Sequence, residues 1–131
     1  MAVTATFTVK DWDEQPLWEG PDGSKVTRAD VRQTVEGGMA GDGMAHWLMT
    51  YQADGTAEYT GVQRVDAAID GTRGTLIMRS TGTFDGTKAA GRLEIVGATD
   101  GLAGISGDGT FEAPHGSAAT VTLQLSGTRA A

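Results

Sequence analysis

Asp70-Gly71-Thr72-Arg73-Gly74-Thr75-Leu76-Ile77-Met78-Arg79-Ser80-Thr81-Gly82-Thr83-Phe84-Asp85-Gly86 reads as one strand held between two turns. Leu76, Met78, Ser80, Gly82 and Phe84 share one parity, and Thr75, Ile77, Arg79, Thr81 and Thr83 share the other. A period of two with an apolar side and a Thr/charged side marks a half-buried strand. The bracketing Asp-Gly pairs suit a type I′ hairpin, which needs positive φ at both central positions. Asp-Gly recurs at Asp22, Asp42, Asp54, Asp100 and Asp108, and Asp54, Asp70 and Asp85 stand 16 and 15 residues apart. Strands of roughly 8–12 residues joined by short turns give that spacing, an antiparallel meander.

The same alternation extends in both directions. Val3, Ala5, Phe7 and Val9 oppose Thr4, Thr6, Thr8 and Lys10, and Val121, Leu123 and Leu125 oppose Thr120, Thr122 and Gln124. Strands are expected near residues 2–12, 26–36, 44–53, 56–66, 73–84, 87–97, 105–113 and 117–127. Eight such strands in an open sheet would leave two long edges that invite aggregation, and closure removes them. The expected fold is therefore all-β: a single eight-stranded antiparallel, mostly meander β-barrel spanning residues 1–131 as one domain. A flattened sandwich is the structural alternative.

One segment carries a competing signal. Thr27 with Asp30 reads as a capping box, and Val31 with Val35 has helical spacing before Gly37-Gly38. It is taken as a strand because its neighbours need a partner. Glu14 to Lys25, with Pro16, Pro21 and Gly23, is expected to be a loop and a candidate lid or rim.

Composition excludes several classes. The 131 residues carry 17 acidic and 10 basic side chains, a formal charge of -7, which disfavours a nucleic-acid or anionic-membrane partner. No apolar run approaches a membrane span and no basic-then-apolar leader is visible, so a cytoplasmic location is expected. There is no cysteine, hence no disulfide, thiolate or cysteine–metal chemistry. No metal site is expected either: no Asp-Gly pair sits in a calcium-loop run, and His46 and His115 are far apart in sequence. Neither a Walker loop, a G-x-G-x-x-G nor a G-x-S-x-G elbow occurs, so no cofactor is expected.

Ala5-Thr6-Phe7-Thr8-Val9-Lys10-Asp11-Trp12-Asp13-Glu14 resembles the opening of a bacterial family of unknown function whose members have an allene-oxide-cyclase-like barrel. His46-Trp47-Leu48-Met49-Thr50-Tyr51, Asp54 to Gly61, Gln63-Arg64-Val65, Ser80 to Gly86 and the glycine-rich Gly97 to Phe111 continue the resemblance. It implies the same barrel and no established reaction. Related barrels include cyclases that shape a reactive chain without a cofactor. Gln63 and Ser80 stand where the family pattern often has Glu and His, which weakens an acid/base role at those two positions.

Inward parity selects Phe7, Val31, Gln33, Val35, Tyr59, Gln63, Met78, Ser80, Leu93, Ile95, Phe111 and Leu123. On the strand 44–53 either Trp47, Met49 and Tyr51 or His46, Leu48 and Thr50 face inward; the larger apolar side favours Trp47 and Tyr51. Arg64 and Arg79 fall outward, and Arg92 and Glu94 lie opposite Leu93 in parity, as expected for solvated or cross-strand ion pairs. Gln33, Tyr59, Gln63 and Ser80 are the informative interior positions, since an unpartnered buried polar group costs roughly 1–3 kcal/mol. They either bond one another inside a filled core or line a cavity for a mostly apolar ligand. On the second reading Tyr59 and Gln63 are the candidate catalytic donors, to a carbonyl or enolate, and Gln33, Trp47, Tyr51, Met78 and Ser80 contact the ligand. The expected function is binding of a small apolar, partly oxygenated organic molecule, extending to a redox-neutral cyclase or isomerase. The alternative is a non-catalytic module that self-associates, as a homo-oligomer, or meets a protein partner through its outer wall.

Overall fold

Each alternating segment pairs with the next along the chain, and the last returns to the first. The computed structural model describes residues 1–114 and 118–127. Its strands are β1 (Ala2–Glu19), β2 (Lys25–Gly37), β3 (Ala40–Tyr51), β4 (Ala57–Ile69), β5 (Thr72–Phe84), β6 (Lys88–Asp100), β7 (Ser106–Pro114) and β8 (Ala119–Ser126). All neighbours are antiparallel, and β8 closes the ring on β1 through pairs such as Val3 with Leu123 and Phe7 with Ala119. Ser117, the expected first residue of the last strand, and His115 lie outside the described residues. Among the described residues no helix is long and apolar enough to cross a membrane.

Turn chemistry accounts for the meander. Asp70 (φ 50°) and Gly71 (φ 77°) form the two-residue β4–β5 turn, both with positive φ. At Asp54 and Asp85 the carboxylate instead accepts the backbone N–H and the hydroxyl of the threonine two residues on, Thr56 and Thr87. Two of the seven pairs are not turns: Asp42-Gly43 lies inside β3 and Asp108-Gly109 inside β7. At Gly109 the glycine serves close approach, because a Cβ there would run into the Thr122 carbonyl and Leu123.

The capping-box segment is strand β2. The Thr27 hydroxyl donates across the sheet to Glu14 Oε2 at 2.7 Å rather than capping a helix. The expected loop from Glu14 to Lys25 is a correction: β1 runs on to Glu19, leaving only Gly20 to Ser24, with a 3-10 turn at Pro21–Gly23, as the connection. Among the described residues, β1 beyond Phe7 pairs with β2 alone, and there it tolerates Pro16, which has no N–H to donate. This long arm carries bulges at Lys10 and Leu17, the residues skipped by the pairing with β2. The first bulge reverses the parity of β1. Val9 faces inward opposite Gln33, then Trp12 opposite Val31 and Glu14 opposite Ala29. A further bulge at Val96 does the same in β6, with Ile95 opposite Met78 and Ala98 opposite Leu76.

Interior volume is distributed unevenly along the barrel. At one end the turns fold inward, burying Met39, Ile69, Leu102 and Ile105 over Leu76, Met78 and Leu123. Each such side chain contributes about 1.5–3 kcal/mol through burial. Toward the other end many inward positions are small, among them Ala57, Gly82, Ala89, Gly91, Ala113 and Ala119, and stand between larger aromatic ones. An eight-stranded barrel is just wide enough to be filled by its own side chains or to hold one small ligand. Here the small residues leave the second half unfilled.

Candidate functional site

The unfilled half is a hollow of about 460 Å³. It lies toward the end of the barrel where β1, β3, β5 and β7 run out, with Trp12, Tyr51, Phe84 and Pro114 in its wall. Its walls are almost wholly apolar, with Phe7, Met49, Phe111 and Val121 buried in the lining, Val9 half exposed beside them, and Gln33 and Gln63 as its polar members. Of the residues expected at a site, Tyr59, Gln63, Gln33, Trp47 and Tyr51 all line the hollow. Met78 and Ser80 do not; they are fully buried in the wall beyond it. The ambiguity on β3 resolves with Trp47, Met49 and Tyr51 inward. His46 faces out, its Nδ1 2.6 Å from Asp30 Oδ1, and Arg28 Nε donates to the same oxygen at 3.2 Å. Arg79 and Glu94 form a cross-strand pair at 2.9 Å on the outer wall.

Four rings from four strands run in sequence across the hollow. Trp12 lies 5.9 Å from Trp47, Trp47 lies 5.4 Å from Tyr59, and Tyr59 lies 6.0 Å from Phe111, each pair tilted by 37° to 52°. These are ordinary distances for mutually attractive aromatic pairs. Glycines make room for them. A Cβ on Gly61 would stand 2.7 Å from Trp47 Cδ1, and one on Gly82 would stand 2.9 Å from the Tyr59 hydroxyl.

The polar groups divide into three sets. Gln63 Nε2 donates to Gln33 Oε1 at 3.1 Å, one bond within a buried pair, and the rest of both amides borders the hollow. Trp47 Nε1 and Ser80 Oγ are buried with no hydrogen-bond partner among the described residues. They belong to one cross-strand row, on either side of Gly61. At the rim, Glu14 gathers three donors: Trp12 Nε1 on Oε1 at 2.9 Å, and Thr27 Oγ1 and Tyr51 OH on Oε2, both at 2.7 Å. Lys25 Nζ sits 4.7 Å above the Tyr51 ring.

Electrostatics says what this rim cluster can do. Burial alone would raise the Glu14 carboxyl, but the bonds from Tyr51, Thr27 and Trp12 and the charge of Lys25 outweigh it and hold the group below its usual range. Burial, then the bond to Glu14, pushes the Tyr51 hydroxyl well above the ordinary phenol range. A general acid or base works best with a pKa near the operating pH. Glu14 and Tyr51 are both moved away from neutrality, so the pair clamps β1 to β3 rather than relaying a proton. The Tyr59 hydroxyl is likewise raised, by burial alone, and remains a neutral donor beside the hollow.

Trp12 and Glu14 were the residues sequence parity missed. Straight alternation from Phe7 through Val9 sends both outward, and the Lys10 bulge turns them in. The available signal was the pairing of a carboxylate with a tryptophan two residues away in a strand, which is uninformative until the bulge is seen.

Fold and site define a closed antiparallel β-barrel with a hollow, aromatic-walled interior at one end. A family model described as "Protein of unknown function (DUF3224)" matches residues 3–125, and the chain belongs to this family. The crystal structure of a protein of unknown function from the same family, from Shewanella oneidensis MR-1, is similar to it with a TM-score of 0.78. That alignment covers 99% of this chain and 98% of the other at 20% identity, a likeness of fold. Among curated proteins, none matches the sequence.

Proposed function

We propose that the barrel binds one small, mostly apolar organic molecule in the hollow between Trp12, Trp47, Tyr59 and Phe111. The observation that carries this reading is the hollow itself. About 460 Å³ falls within the usual range for small-molecule sites, roughly 300–1,000 Å³, and its wall is apolar and aromatic with a few placed amides. A core selected for stability alone would fill that space, since apolar wall left facing water forgoes about 25 cal/mol per Å² of burial. If the occupant reacts, the chemistry is a redox-neutral cyclisation or isomerisation. The walls would fold the substrate, while Tyr59 and Gln63 donate hydrogen bonds to a developing enolate. No proton relay through Glu14 and Tyr51 is part of this reading.

Titration with the neutral fluorophore N-phenyl-1-naphthylamine tests it. One-to-one binding with a blue-shifted emission and tryptophan quenching is expected. Ala57→Leu and Ala119→Leu, which push side chains into the hollow, should abolish binding while far-ultraviolet circular dichroism stays unchanged. Absence of binding, or binding indifferent to both substitutions, would overturn the reading. The exposed Leu48, Val62 and Val96 on the outer wall support a second reading, self-association. A concentration-dependent mass in light scattering would establish it.

A further inference from the structure

We propose that the molecule held in the hollow carries a cationic, amine-type head, seated at the mouth against the Trp12 and Trp47 indoles and under the field of Glu14. This rests on the ligand-binding reading above and adds the charge of the occupant. Three observations work together. First, the described lining of the hollow contains no charged side chain of either sign, so the charge of a head is decided at the rim. Second, the mouth holds a carboxylate that stays ionised, bonded directly to the two side chains, Trp12 and Tyr51, that carry the wall out to the rim. Third, indole and phenol faces are what a diffuse cation prefers, and Trp12, Trp47 and Tyr59 present them in one tilted series.

Lys25 shows that the rim already accepts an ammonium. Its Nζ lies over the Tyr51 ring and within the field of Glu14. It approaches from β2, so it competes with a ligand head for Glu14. A quaternary ammonium has the better claim on the inner faces, because it is weakly hydrated and makes no hydrogen bonds that the apolar wall would leave unmade. Trp12 is 43% exposed, so a head placed beside it keeps part of its water while the body of the ligand is buried.

The probes are benzyltrimethylammonium, its uncharged carbon isostere neopentylbenzene, and phenylacetate, titrated calorimetrically against the full chain. Benzyltrimethylammonium should bind about tenfold more tightly than neopentylbenzene, and phenylacetate should bind more weakly than either. Glu14→Gln keeps an acceptor for the rim donors and should bring the cation and its isostere to within about threefold. Lys25→Met should strengthen cation binding. Should Glu14→Gln fail to fold, the salt dependence of the unmodified protein reports the same term: cation affinity falls from 50 to 500 mM salt and isostere affinity does not. Equal affinity for the cation and its isostere overturns the cationic head and leaves the apolar site standing. Phenylacetate binding that Lys25→Met abolishes overturns it in favour of an anion. No binding of any probe overturns both readings.

Discussion

The Tyr51 hydroxyl donates to Glu14 Oε2 at 2.7 Å, tying the last residue of β3 to the bulge-turned face of β1. This bond holds the arm of β1 beyond the pairs that the described residues of β8 make with it. Tyr51→Phe removes it and leaves Glu14 with Thr27 and Trp12. A loss of about 0.5–1.5 kcal/mol in urea unfolding at pH 7 is expected. The Glu14 carboxyl is depressed in the folded chain, so its contribution is full above the ordinary glutamate range and is lost as pH falls through the folded value. The difference between Tyr51→Phe and the parent should therefore shrink toward pH 3. A constant difference across that range would mean the hydroxyl acts through packing alone.

The Gln33–Gln63 pair is a second bond whose removal is asymmetric. Either Gln→Leu substitution strands the other amide beside an apolar wall and should cost roughly 1–3 kcal/mol. The double substitution removes both and should cost clearly less than the sum. Additivity in a double-mutant cycle would show that the two amides do not depend on each other.

Tyr59 and Gly82 separate function from folding. The Tyr59 hydroxyl is shifted by burial with no hydrogen bond contributing, so Tyr59→Phe should leave the melting temperature nearly unchanged. Its affinity for 2-acetylnaphthalene, whose carbonyl can accept from the phenol, should fall about fivefold. Unchanged affinity would remove Tyr59 from the site. In contrast, Gly82→Val places a Cβ 2.7 Å from the Ala90 carbonyl and 2.9 Å from the Tyr59 ring. Overpacking there should cost about 1–3 kcal/mol or more and lower the yield of folded protein.

Asp85 sets an acid limit on one hairpin. Backbone N–H bonds from Lys88 and Thr87, then the Thr87 hydroxyl, hold its carboxyl down to about 2. A depressed carboxyl stabilises the fold above its unfolded value, about 3.9, and that stabilisation drains away as pH falls to about 2. Asp85→Asn should therefore be less stable than the parent at pH 7 and converge with it near pH 2. Parallel acid-unfolding curves would contradict the assignment.

Much of the barrel is legible residue by residue. Leu76, Met78 and Ser80 fall on the buried side of β5 as their parity requires, and Asp70-Gly71 makes the turn its chemistry favours. Alternation also separated Gln33 and Gln63 from their outward neighbours. Both depend on neighbours one or two residues away, where the covalent chain itself imposes the geometry. Asp42-Gly43 and Asp108-Gly109 show where that reasoning stops. The same dipeptide is a turn or a close-packed strand according to what lies across the sheet.

From its sequence alone this chain determines an eight-stranded, all-β meander and most of its inward faces. Strand period and turn chemistry are local and survive any change in the surroundings. Only the tertiary structure decided the rest. The bulge at Lys10 turned Trp12 and Glu14 inward, because one extra residue in β1 shifts its register against β2 and exchanges the faces of the residues that follow it. The open end of the barrel was decided in the same way. Ala57, Ala89, Ala113 and Ala119 come from four strands, and their shared smallness becomes a hollow only when closure brings them to one level.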